Sequence, residues 1–194
     1  MVYPIMNPPF GAKKTRTLTA GEAKKHFDWY MSIIPERMGL LKQACQIQNW
    51  SDCTFDYSRE SLLHLWKWYL GNVVIIPRSE EEYKNEVSKM LDYMRKSVPK
   101  EKIEIGWVQI AEDIGIYFSL CLLAYSSKLK WDLLTEPEDL YCRNNPVLSG
   151  FINGMVFYHT QIMSVKLINI LMKESSPNDL IKTFDVWLEY IPKK

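Results

Sequence analysis

The chain has 194 residues, 47% hydrophobic and 24% charged, and its acids and bases nearly cancel to a net charge of +1. That length suits one domain with a real core, and the composition excludes wholesale disorder. The near-neutral balance argues against a nucleic-acid partner, which needs a basic face.

Residues 1–18 are expected to form an extended arm with turns, because Pro4, Pro8, Pro9 and Gly11 interrupt regular structure. The arm has no long apolar run, so it does not read as a signal peptide. Its Lys13, Lys14 and Arg16 read as a solvated tail. Residues 19–194 read as a single helical domain. Thr19 and Glu22 have the spacing of a capping box. Phe27, Met31, Ile34, Met38, Leu41 and Cys45 then follow at alternating steps of four and three, the seam of a helix with one buried stripe. Pro35 falls inside that seam and predicts a kink, since proline removes a backbone donor.

Ser58 can cap a second helix carrying Leu62, Leu65, Trp66, Tyr69 and Leu70 on one face. Trp68 is left pointing away from that face. The β-branched run Val73–Ile76 reads as extended, and Ser79 with Glu82 forms a second capping box. The third helix it opens carries Tyr83, Val87, Met90 and Met94 on one side. The fourth helix, about Ile105 to Ser126, turns apolar on nearly every side after Asp113, which marks it as the central helix. The unbroken apolar stretch from Ile114 to Tyr125 is shorter than the roughly 20 residues a bilayer needs, so no membrane role is expected. Around Trp131–Leu134 and Val147–Phe151 the pattern changes to alternation, predicting a small antiparallel hairpin. Two last helices cover about 155–173 and begin again near Asn178. The fold expected is mainly α: a bundle of about six helices with one small β-hairpin.

Few residues carry a chemical signature. Phosphate-binding glycine loops and a nucleophile elbow are absent, so no cofactor is expected. Cys45, Cys53, Cys121 and Cys142 form no Cys-x-x-Cys pair and share no zinc spacing with histidine, so no metal is expected. With no leader segment they read as reduced thiols of a cytoplasmic protein. Glu112-Asp113 stands at the entrance to the most apolar segment, where a carboxylate has its pKa raised and can act as a general acid. Side chains of adjacent helical residues diverge by about 100°, so the two cannot face one site together. Asp113 is the one expected to be buried, either as a catalytic group or tied by hydrogen bonds to a loop or Trp131. His26, His64 and His159 lie on three helices, and His159 is a candidate partner for the acid.

Four segments carry a resemblance. Trp29-Tyr30 precedes Ile34-Pro35-Glu36-Arg37; Asp113 to Phe118 reads Asp-Ile-Gly-Ile-Tyr-Phe; Leu129-Lys130-Trp131 follows; and Asn145 to Phe151 reads Asn-Pro-Val-Leu-Ser-Gly-Phe. In this order they resemble a group of uncharacterised proteins of Firmicutes-type bacteria. The group tends to place a glycine and an acid after the Tyr-Phe pair, where this chain has Ser119 and Leu120. The resemblance brings no catalytic function, and small bacterial domains of this kind suggest an immunity-like role, neutralising a toxin.

Two functional expectations follow. The first is a non-enzymatic, immunity-like domain that binds a protein partner, with Trp68 as an exposed anchor. The second is a small hydrolase with Asp113 or Glu112 as acid or base. A concave site where an acid meets His159 or His64 would favour the enzyme. An exposed aromatic patch with a polar rim would favour the binder.

Overall fold

A computed structural model describes residues 2–11, 13–47 and 54–193. Six α-helices are present among the described residues: α1 Ala20–Ile47, α2 Arg59–Asn72, α3 Glu80–Ser88, α4 Ile105–Tyr125, α5 His159–Leu171 and α6 Asp179–Glu189. They are joined by two antiparallel strand pairs, so the fold is mainly α. The first pair is β1 Ile75–Pro77 with β2 Glu101–Ile103, in the register Ile76 opposite Lys102. The second is β3 Lys130–Leu133 with β4 Pro146–Ser149, in the register Trp131 opposite Leu148.

The second pair is the hairpin that alternation predicted. The first was not expected as a pair. Val73–Ile76 gave a partial signal, but its partner Glu101-Lys102-Ile103 is too short and too charged to alternate visibly. The α3 helix also ends sooner than its pattern, at Ser88, leaving Met90 and Met94 beyond it.

The central element is α4, which packs against α1, α2, α5 and α6. Ile114, Phe118, Cys121 and Leu122 are buried there, as expected. By length and composition its 21 residues are apolar enough to cross a membrane, a length the Ile114–Tyr125 stretch alone did not reach. Here two thirds of that span is enclosed by the other helices. Phe118 lies 4.9 Å from Phe157 and 5.6 Å from Phe184 between ring centroids, joining α4 to α6 and the strand region.

Helix starts follow their caps. Ser79 and Glu82 form a reciprocal capping box at α3, and Ser58 accepts the Ser61 amide at α2. At α1 the Glu22 carboxylate accepts the Thr19 amide and the Glu22 amide donates to Thr19 Oγ1. The α1 helix continues through Pro35 as one element. Its buried line is Ala23, His26, Tyr30, Arg37, Leu41, Ala44 and Cys45, which keeps only Leu41 and Cys45 of the predicted apolar seam. Phe27, Met31, Ile34 and Met38 are only half-buried. The helix is rotated because the Tyr30 hydroxyl and the Arg37 guanidinium find partners inside.

The arm of residues 2–18 is pinned rather than loose. Tyr3 and Leu18 are buried, and the Tyr3 hydroxyl donates to Asp113 on α4. The Met6 amide donates to Gln109 Oε1 at 2.9 Å, and Arg37 donates to the Pro4 carbonyl at 2.8 Å. At its far end, the buried Asn144 amide group donates to the carbonyls of Thr15 and Leu18, both at 3.1 Å. Lys13, Lys14 and Arg16 are solvent-exposed, as the tail reading expected, and Lys13 pairs with Glu22.

Candidate functional site

The two neighbouring acids on α4 have different fates. Asp113 is fully buried and is held by Arg37 through two bonds, Nε to Oδ1 and Nη2 to Oδ2, each 2.8 Å. The Tyr3 hydroxyl supplies a third. Burial pushes the Asp113 carboxyl up to about 6, against the pull of Arg37 and Tyr3. At neutral pH it therefore remains the anionic half of an ion pair. Its partners are α1 and the arm rather than a loop or Trp131, and both oxygens are engaged.

Glu112 points the other way, towards the start of α5. Its Oε2 accepts the Thr160 hydroxyl at 3.1 Å, and no cation among the described residues is paired with it. Burial pushes its carboxyl up to about 7, with the neighbouring Asp113 charge adding to the rise.

A cleft of about 180 Å³ opens at this carboxylate. The α1 helix lines it with His26, Trp29 and Tyr30; the first residues of α5 add Tyr158, His159 and Thr160. Asn145 and Pro146 at the start of β4, with Met6 and Pro8 of the arm, complete the wall. The elements converge here because α4 and α5 pack closely. A Cβ on Gly115 would come within 2.9 Å of Met163 Cγ and 3.1 Å of His159 Cδ2. Glycine is what lets His159 lie against α4.

His159 is buried, with Nε2 2.6 Å from the Tyr30 hydroxyl. The Trp131 ring meets it edge-on at a centroid distance of 5.8 Å, and the Tyr30 ring lies tilted against it, also at 5.8 Å. Burial holds the imidazole neutral, down to a pKa of about 3. It is thus a weak base already engaged by Tyr30, and its Nδ1 has no hydrogen-bond partner among the described residues. Burial also lowers the pKa of His26 and raises that of Tyr158 to about 12.

The sequence candidates are therefore sorted as follows. Glu112 and His159 meet in the cleft, joined by His26; Asp113 does not line it, and His64 stays apart on α2. Trp68, expected as an exposed anchor, is only 5% exposed and lies 5.7 Å from the Trp107 ring. The α2 helix is enclosed on two sides, so the side chain off its main face is covered as well. Tyr30, Thr160 and Arg37 were missed as site residues, because hydroxyls and a guanidinium inside helices have no spacing signature. A larger cavity of about 590 Å³, lined by residues 125–128, Leu188 and residues 191–193, has no acid or histidine among its described lining residues.

In chemical terms the cleft offers one carboxyl that exchanges its proton near neutral pH, a hydroxyl bonded to it, and aromatic walls. No protein-family model matches this chain, and no curated protein or solved structure matches it either.

Proposed function

We propose that this protein takes up a small molecule in the cleft at Glu112, and that Glu112 changes its protonation as the molecule binds. One observation carries the reading: a carboxyl on α4 with a pKa pushed up to about 7 meets Tyr30 of α1 and His159 and Thr160 of α5 in one concave site. Perturbed acids in clefts cluster at functional sites. In the hydrolase form of this reading Glu112, rather than Asp113, is the general acid or base, because both Asp113 oxygens are engaged by Arg37 and Tyr3. Fragment screening by protein-observed NMR tests it. Hits should shift the Trp29 indole and His26 resonances and weaken in Glu112→Gln. A screen whose hits all lie away from the cleft overturns the reading.

A second reading, an immunity-like domain that binds a protein partner, is favoured by the outer face of α5. Val165, Ile168 and Met172 follow at steps of three and four, and each is about half exposed. Such a stripe is how one helix presents apolar anchors to another surface. A cytoplasmic setting belongs to both readings and is supported by the buried Cys121 and Cys142 thiols. Ile168→Asp should abolish capture of a protein partner under the second reading and leave cleft ligands unaffected under the first.

A further inference from the structure

The geometry points to a small organic cation, an amine or quaternary ammonium, as the ligand of the Glu112 cleft. This rests on the cleft being a small-molecule site and adds the chemical class of its occupant.

The charge inventory is one-sided. Among the described residues no lysine or arginine lines the cleft, and Glu112 is the one carboxylate on its wall. His26 and His159 are kept neutral by burial, and the hydroxyls of Tyr30 and Tyr158 hold their protons far above neutral pH. Arg37, the cation nearest the α4 acids, is spent on Asp113. Glu112 is left with the Thr160 hydroxyl, a neutral donor. A desolvated carboxylate without a cation is costly, and a bound ammonium would supply the missing charge.

The walls fit the same ligand. Trp29, Tyr30 and Tyr158 are aromatic, and the faces of such rings attract cations, tryptophan most strongly. An anion would be disfavoured. The positive end of the α5 dipole could hold one, but Glu112 already lies there against Thr160 in the first turn. A second negative charge would face this carboxylate across a narrow cleft. The space of about 180 Å³ limits the ligand to a few heavy atoms.

Binding is coupled to one proton. Glu112 shares its neutral form with its ionised form near pH 7, and a bound cation holds it ionised, so the displaced proton leaves to solvent. Affinity for a permanent cation rises with pH up to about 7 and then levels.

The experiment titrates the full chain with tetramethylammonium and ethylammonium, with tert-butanol as a neutral isostere and acetate as an anion. NMR follows the Trp29 indole and His26. The expected result is saturable binding of the cations only, stronger at pH 8 than at pH 6, and weakened about tenfold or more by Glu112→Gln. Trp29→Leu, which leaves the buried acids in place, should weaken it about fivefold. Binding of acetate or tert-butanol in preference to the cations overturns the cation inference and leaves the small-molecule reading standing. No shift of any cleft resonance with any probe overturns both.

Discussion

Glu112 and Asp113 are consecutive residues of α4, yet Asp113 is locked to Arg37 by two 2.8 Å bonds while Glu112 accepts the neutral Thr160 hydroxyl. The step of about 100° between neighbours on a helix sends one acid towards α1 and the arm and the other towards α5. One position holds the fold together, and the other is left with a proton to exchange.

The Arg37–Asp113 pair should dominate stability. Both side chains are almost wholly removed from water, so removing one partner strands the other as an uncompensated charge. Arg37→Ala should lose about 3–5 kcal/mol in urea unfolding. The double change Arg37→Met with Asp113→Leu should lose much less, because it removes both charges. Equal losses would show that the pair acts through volume alone.

Gly115→Ala should be destabilising although alanine is the better helix former. Its Cβ would overlap Met163 and His159, and overpacking of this kind costs about 1–3 kcal/mol. That outweighs the gain in helix propensity, about 1 kcal/mol. The change should also weaken the Tyr30–His159 contact, visible as a shift of the His159 ring resonances. A more stable variant with unchanged His159 signals would contradict the close-packing account.

Trp68→Ala should lower stability by about 3–5 kcal/mol, the range for emptying a buried aromatic site. Its ring is covered and set against Trp107. A thermal melt reads this directly, and an unchanged melting temperature would return Trp68 to the surface.

Much of the fold was legible in the sequence, and the part that was not has a common cause. Capping boxes at Thr19 and Ser79, the cap at Ser58, the central α4 and the β3–β4 hairpin all rest on local patterns that the finished fold keeps. The orientation of α1 was not legible, because Tyr30 and Arg37 are buried against partners that are over 70 residues away in the chain. An apolar periodicity cannot register a polar side chain whose burial depends on a distant one. The same blindness hid Tyr3, whose buried ring and hydroxyl tie the start of the arm to α4. At the site, the acid pair was readable from its place at the edge of an apolar run. Which of the two would keep a partner was not, since that depended on Arg37 lying on the inner side of α1.

The central claim is that Glu112 exchanges its proton near neutral pH, and it has a linked effect on stability. The folded chain keeps this proton up to about pH 7, whereas the unfolded chain releases it near 4.5. The group therefore binds more protons in the folded state within that window, and its contribution to stability falls as pH rises through it. Asp113, also raised by burial, acts in the same direction at lower pH, while His159, held neutral, loses stability as pH falls from about 6.5 towards 3. Only the difference between wild type and Glu112→Gln isolates the one group.

The most direct measurement is a carbon-13 NMR titration of the Glu112 side-chain carboxyl, assigned by its disappearance in Glu112→Gln. The account predicts a midpoint near pH 7. A midpoint at the ordinary glutamate value of about 4.3 would contradict it, and the cleft would then hold a conventional surface acid.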